Sequence, residues 1–384
     1  MTAIRILHAH STFSLGGKEA RAVRLMNSFA DSAQHDVISA MAGETTAREG
    51  LDRGLAVRFP ADAPPLSGTP GLPRLYRLAR YLRGYDLVLT YNWGAFDAVM
   101  ARYLFGRVMR LPPLVHHEDG FNQDEASALK TRRNVYRRIG LSAAHRLIVP
   151  SERLEAIARE AWRQPARRVV RIPNGVPVAR YGVPPAADAM AGLERLPGEI
   201  VIGTVAGLRP VKNLPRLVRA FAAMQTKAAR LVIVGAGPES ERIAAEARRL
   251  GVADRLRMPG FLTDPAGWIG LFDIFALSSD SEQFPISLVE AMAAGLPAVA
   301  TGVGDIPHMV SADNAPLIVG PDDEPAFSAA LDTLAERPDL RRAIGRANRA
   351  KATLEFDESA MIERYARLYG EAIGRPGAFT GVGS

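Results

Sequence analysis

Two carboxylates, Glu282 and Glu290, stand eight residues apart in the run Glu282-Gln283-Phe284-Pro285-Ile286-Ser287-Leu288-Val289-Glu290. An apolar segment, Ala291-Met292-Ala293-Ala294, follows, then the turn Gly295-Leu296-Pro297 and a short strand, Ala298-Val299-Ala300. Acidic groups in apolar sequence are costly to bury without partners, so the pair asks for a ligand. The first lies in a loop and the second just inside a helix. Arg209 and Lys212 share another short loop, Gly207 to Asn213, after a strand ending at Val205. Arginine presents a fork of donors and lysine a point charge, a combination that suits a diphosphate. Such cations neutralise the charge that develops on a departing phosphate. The bland alternative makes all four residues ordinary surface charges.

Three further motifs carry chemistry less specifically. Gly235-Ala236-Gly237-Pro238 after an apolar strand is a phosphate-loop-like turn, although many strands end in glycine simply to make room for a helix. Gly16-Gly17-Lys18-Glu19 brings two glycines to a strand-to-helix turn, where backbone can approach a ligand closely. Glu19 there could equally cap its own helix. The run His116-His117-Glu118-Asp119-Gly120-Phe121 has the residue types of a zinc site. Adjacent strand residues point to opposite faces, however, and His8, His10 and His145 lack ligand spacing, so no metal is expected.

Together these motifs resemble the retaining nucleotide-sugar glycosyltransferases of family 4, which have the GT-B fold. The resemblance rests on Glu282, seven intervening residues, Glu290, Ala291-Met292-Ala293 and Gly295-Leu296-Pro297. It covers most of residues 4 to 373 and is strongest from Val201 to Thr301. It implies an α/β architecture of two Rossmann-like, doubly wound domains facing across a cleft, donor mainly on the second and acceptor on the first. Arg209 and Lys212 would grip the diphosphate, Glu290 would accept the ribose hydroxyls, and Glu282 would sit beside the sugar. Gly207, Gly235, Gly237 and Phe261 would line the nucleotide cleft, with Phe284, Pro285, Ile286 and Ser287 at a helix N-terminus directed at the donor. Gly16 and Gly17 match a Gly-Gly-Xaa-Glu loop beside the diphosphate and acceptor. In the loop after His116 the register leaves the key side chain open between Asp119 and His117. His308 stands where the family usually has Glu.

The implied reaction moves a sugar from a nucleoside diphosphate donor, UDP- or GDP-linked, to a hydroxyl with retention of configuration. The Asp-Xaa-Asp metal signature of the other major glycosyltransferase fold is absent, so neither metal nor cofactor is expected.

The chain has 384 residues, 47% hydrophobic and 23% charged, with no cysteine. That length suits two domains and rules out disulfide or thiolate chemistry. The +7 formal charge comes largely from arginine. Arg74, Arg77, Arg80 and Arg83 are spaced by three among leucines, and Lys130, Arg132, Arg133, Arg137 and Arg138 form a second group. Both fit a basic face directed at anionic lipid or a phosphate-bearing acceptor, or else a solvated helix surface. A lipid-linked glycan or glycolipid of bacterial surface polysaccharide assembly is the favoured acceptor, and a soluble phosphorylated compound the alternative. A sugar-nucleotide-binding scaffold without turnover is the non-enzymatic alternative. No nucleic-acid module is recognisable. The opening residues are too short and polar for a signal peptide, and no apolar run spans a bilayer, so a cytoplasmic, at most peripheral, location is expected.

Strands at 4–9, 37–40, 86–90, 114–117, 146–149 and 169–173 alternate with helical stretches, and Ser151 is placed to cap one of these. The pattern restarts with strands at 199–205, 231–235, 256–261, 274–278, 297–301 and 315–319. This suggests an acceptor-side domain over 1–186, a linker at 187–198 and a donor domain over 199–356. A helix over 357–374 would cross back to the first domain, leaving a frayed tail at 375–384.

Overall fold

The structure, a computed structural model, describes residues 3–41, 43–66, 68, 71–121, 125 and 129–379. The chain forms two compact units, Met1–Asn174 with Ser359–Ser384, and Gly175–Glu358. In the first unit the strands are β1 (Ile4–His10), β2 (Ala33–Ser39), β3 (Val57–Arg58), β4 (Leu87–Tyr91), β5 (Leu114–His117), β6 (Arg146–Val149) and β7 (Val169–Arg171). They form one parallel sheet of order β3-β2-β1-β4-β5-β6-β7. Every residue of β4 and β5 is buried, the two histidines of β5 included.

Helices cover both faces. They are α1 (Gly17–Ser28), α2 (Leu72–Leu82), α3 (Phe96–Phe105), α4 (Thr131–Gly140) and α5 (Glu152–Glu160). Ser151 caps α5 as expected: its Oγ accepts the Leu154 amide at 3.1 Å.

The second unit repeats the plan. Strands β8 (Ile200–Val205), β9 (Ala229–Val234), β10 (Leu256–Gly260), β11 (Ile274–Leu277), β12 (Ala298–Thr301) and β13 (Ile318–Val319) run parallel in the order β10-β9-β8-β11-β12-β13. Its helices are α6 (Leu214–Ala223), α7 (Ser240–Arg249), α8 (Ile286–Ala293), α9 (Ile306–Met309), α10 (Glu324–Glu336) and α11 (Pro338–Glu355). Val176, Val178, Tyr181, Met190 and Leu193 pack into this unit's core, so the chain between 175 and 198 contributes packing residues rather than a bare connection. The last helix, α12 (Glu358–Ala372), belongs from Ser359 onward to the first unit.

The end of the chain is more ordered than its composition suggested. Phe379 is buried, 5.0 Å from the Phe29 ring and close to Tyr369. Residues 380–384 lie outside the described residues.

In each sheet the strand order reverses once, between β1 and β4 and between β8 and β11. Loops leaving the two strands on either side of such a switch point diverge to opposite faces and leave a crevice at the strand ends. The chemistry-bearing loops of this sequence leave those strands or their neighbours.

The centre of the first sheet is aromatic and polar. His10, Tyr91 and His117 stack, with centroids 4.0 and 4.5 Å apart. His8 Nε2 meets His35 Nδ1 at 2.9 Å and His8 Nδ1 meets the Tyr91 hydroxyl at 3.2 Å. Burial holds His8, His10 and His117 well below the usual histidine range, helped by neighbouring His35, Lys18 and Arg21 respectively. Burial takes His35 down to about 4, with Asp36 opposing. The unfolded chain therefore binds more protons than the fold once the pH drops below about 6.5. Each histidine kept neutral then costs ~1.4 kcal/mol per pH unit. Glu19 and Asp97, raised by burial, oppose this only near the carboxylate range. Thermal melts are expected to show a falling Tm from about pH 7 to about pH 5.5, with a shallower slope in His35→Gln. A Tm independent of pH over that range would contradict the buried, neutral histidines.

Candidate active site

In the second unit, the loop after β8 and the loop after β11 meet at the switch point. Lys212 donates from Nζ to Glu282 Oε1 at 2.5 Å, and Ser279 Oγ donates to the same oxygen at 2.7 Å. Ser278 Oγ lies 3.1 and 3.0 Å from the Lys212 and Asn213 carbonyls, so side chain and backbone both join the loops. Arg216, at the start of α6, pairs with Asp280 at 2.8 Å and adds a third tie. Arg209 is exposed on the same loop, over Gly207, and the described residues offer it no ion-pair partner. Lys212 and Glu282 are thus brought together, with Arg209 an exposed cation on the same loop as Lys212.

Glu290 lies in α8, 9% exposed, and its Oε1 accepts a hydrogen bond from the Tyr181 hydroxyl at 3.1 Å. Pro285 precedes the helix, Ile286 and Ser287 form its first turn, and Phe284 sits edge-on to Phe356 at 5.5 Å. The orphan amides of that turn make the start of α8 a place for negative charge.

Gly235 and Gly237 follow β9 with φ of +145° and +157°. A Cβ would lie 1.8 Å from the Ala206 carbonyl oxygen at Gly235 and 2.5 Å from that of Leu208 at Gly237. Only glycine lets this turn close against the Arg209 loop. Phe261, beyond β10, is exposed.

In the first unit, strand alternation sorts the His116–Asp119 run onto two sides. His116 and Glu118 face the fully buried Arg137: Arg137 Nε is 3.3 Å and His116 Nε2 is 3.7 Å from Glu118 Oε2. Arg137 also pairs with Glu125 at 3.1 Å and lies 5.0–5.3 Å from the rings of Trp93, Phe121 and Trp162. His117 and Asp119 face the other way. His117 is completely buried. Its Nδ1 lies 3.2 Å from the Thr90 carbonyl, which can only accept, so Nε2 accepts from the Tyr369 hydroxyl at 2.8 Å. Both ring nitrogens are therefore satisfied inside the core. Asp119 instead chelates Arg21, with Arg21 Nη2 to Oδ2 at 2.8 Å, and its amide donates to Asn92 Oδ1 at 2.8 Å. Arg21 Nη1 also donates to Asn174 Oδ1 at 2.7 Å.

Gly16 ends the β1 loop and Gly17 begins α1. Glu19 is buried against Lys18. Among the described residues no group of three or more His, Asp or Glu side chains could hold a metal ion.

The sequence did not single out Arg21, Asn92, Asn174, Tyr181 or Ser279. The two arginine groups are also redistributed. Arg74 is buried on Asp97 and the Gly68 carbonyl, and Arg137 is caged by aromatics, so neither contributes to a basic surface. A cavity of about 480 Å³ opens in the first unit, lined by Trp93, Phe96, Tyr136, Asp97, Arg132 and Arg133 among others.

The model of the family described as Glycosyltransferase Family 4 matches residues 4–180, and that described as Glycosyl transferases group 1 matches residues 188–351. The chain belongs to these glycosyltransferases. Its two doubly wound units have the GT-B architecture. A solved structure of Anabaena HepE in complex with UDP superposes with a TM-score of 0.78 at 20% identity, covering 96% of this chain and 100% of that one. Among curated relatives, the D-inositol 3-phosphate glycosyltransferase of Streptomyces scabiei is 28% identical over 92% of this glycosyltransferase and 86% of its own length. The N-acetyl-alpha-D-glucosaminyl L-malate synthase of Bacillus anthracis is 27% identical over 46% of each chain. The match thus spans about half the length of that relative.

The Arg21–Asp119 pair gives a direct test of how this glycosyltransferase holds its Asp119 loop. Removing one member of a buried pair strands the other, at a cost of about 3–5 kcal/mol. Arg21→Met is expected to destabilise by about that amount in chemical denaturation, and adding Asp119→Asn to restore part of the loss. A loss under about 1 kcal/mol would place the pair among solvent-screened contacts.

Proposed function

We propose that the protein transfers a sugar from a nucleoside diphosphate sugar to a hydroxyl of an anionic acceptor, with retention of configuration. The observation that carries this reading is the Lys212–Glu282 pair at the second sheet's switch point, with Arg209 on the same loop. Arg209 and Lys212 would bind the diphosphate and stabilise the charge gained by the β-phosphate as the C1–O bond breaks. Glu290, oriented by Tyr181, would accept hydrogen bonds from the ribose hydroxyls. Glu282 would orient the sugar hydroxyls. The acceptor oxygen would bond to C1 on the face the phosphate leaves, passing its proton to the departing β-phosphate oxygen. No carboxylate nucleophile is required.

On the acceptor side, Asp119 is favoured over His117, because His117 is enclosed by protein. The 480 Å³ cavity is lined by the aromatic rings of Trp93 and Tyr136, and the exposed Arg132 could meet a negative group there. Two relatives carry anionic hydroxyl compounds in their names, L-malate and D-inositol 3-phosphate. These support a small, soluble acceptor bearing a phosphate or carboxylate more than the lipid-linked glycan of the sequence reading. A lipid-linked acceptor remains the second reading, favoured by the exposed apolar and basic helices of the first unit.

The reading is tested by thermal stabilisation with UDP-, GDP-, ADP- and TDP-sugars, followed by donor consumption with and without acceptor. One nucleotide is expected to raise the Tm selectively, and Arg209→Ala to weaken its binding about 10- to 100-fold by losing a charge-assisted contact. Consumption should depend on acceptor. No shift with any donor in a cooperatively folded sample would overturn the transferase reading.

A further inference from the structure

We propose that Ser279 is a positioning residue for the donor sugar: its hydroxyl holds Oε1 of Glu282 inward, so that Oε2 alone is presented to the sugar. The inference rests on the donor reading above and gives a role to a residue outside its motifs. Ser279 is the second residue after β11 and is buried. A serine in a turn ordinarily bonds the nearby backbone. This hydroxyl instead donates to a carboxylate three residues further on, at 2.7 Å. Its neighbour Ser278 points its own hydroxyl at the Lys212 and Asn213 carbonyls. Two serines at the end of one strand therefore hold different loops.

The backbone around Glu282 is fixed from β12. Thr301, the last residue of that strand, donates from Oγ1 to the Ser279 carbonyl at 2.6 Å. Gly304, with φ of +60°, lies so close that a Cβ would stand 2.1 Å from the Glu282 carbonyl oxygen. Only the side-chain torsions of Glu282 are left to settle. Oε1 takes both hydrogen bonds that the carboxylate receives from the described residues, one from Lys212 at 2.5 Å and one from Ser279. Oε2 receives none from them and is not enclosed. The two donors are not equivalent. An ammonium is drawn to an arriving diphosphate, and each N–H it turns there competes with its bond to Glu282. A serine hydroxyl carries no charge to be drawn away. It keeps Oε1 in place while Lys212 serves the phosphate, and the outward oxygen meets a sugar hydroxyl with its rotamer already fixed.

The experiment is calorimetric titration of the full chain as wild type, Ser279→Ala, Glu282→Ala and the double variant. The probes are UDP, GDP, ADP and TDP, then the glucose, N-acetylglucosamine and mannose esters of whichever diphosphate the wild type binds. The readout is the affinity for the tightest ester relative to its diphosphate, measured on one sample. A partly unfolded variant weakens both alike and leaves that ratio unchanged. Ser279→Ala is expected to weaken the sugar nucleotide about tenfold, while the diphosphate changes by less than about twofold. In the Glu282→Ala background the same substitution should move the ratio by less than about twofold, because Ser279 acts through that carboxylate. An unchanged ratio in Ser279→Ala, or an equal loss in both backgrounds, would overturn the positioning role and leave the donor reading standing. A wild type that binds none of the diphosphates would overturn both.

Discussion

The Lys212–Glu282 contact joins two loops that the sheet topology would otherwise send apart. β8 and β11 are neighbours in the sheet but feed helices on opposite faces, and the sequence separates the two residues by seventy positions. A half-buried ammonium and a nearly buried carboxylate each need a partner, and at 2.5 Å they provide it for one another. The Ser278 hydroxyl then holds the Lys212 loop backbone and the Ser279 hydroxyl the Glu282 carboxylate, and the glycine turn after β9 closes against the Arg209 loop. A cation held this way needs little reorganisation to meet an anion, which is what a preorganised phosphate site requires.

The first unit uses the same logic with different groups. Its switch-point strands meet through stacked imidazoles and a tyrosine rather than an ion pair, and α12 supplies the Tyr369 hydroxyl to His117, the ring at one end of the stack. The last helix therefore completes the core of a unit whose other elements all precede the whole of the second unit. At the rim of that core, Arg21 holds Asp119 in place from α1. Each unit thus presents a charged loop pair fixed by long-range contacts.

Much of the fold was legible because a strand buried on both faces is mostly apolar, and such runs recur between helical stretches. The Glu282–Glu290 segment was legible because its spacing matches a known family motif. Partners were not. Tyr181 reaches Glu290 across 109 residues, and Arg21 reaches Asp119 across 98, separations over which one sequence carries no pairing signal. One rung of the arginine ladder, Arg74, leaves the surface for a geometric reason. Steps of three residues turn back by about 60° on an α-helix, so Arg74 and Arg83 fall on opposite sides. Arg74 accordingly shares the buried stripe of Leu75 and Leu78, while Arg83 is exposed. The surroundings of His117 were not legible either: strand parity points its side chain to the face that α12 covers.

The most direct measurement is a calorimetric double-mutant cycle for nucleoside diphosphate binding, using Lys212→Met, Glu282→Gln and both together. If Lys212 is the phosphate cation that Glu282 holds in place, Lys212→Met weakens binding about tenfold or more. Glu282→Gln alone would then leave the diphosphate bound as tightly or more tightly, because a neighbouring negative charge is gone, and the two effects would be non-additive. Unchanged affinity in Lys212→Met would contradict the account and reduce the pair to a loop-joining contact.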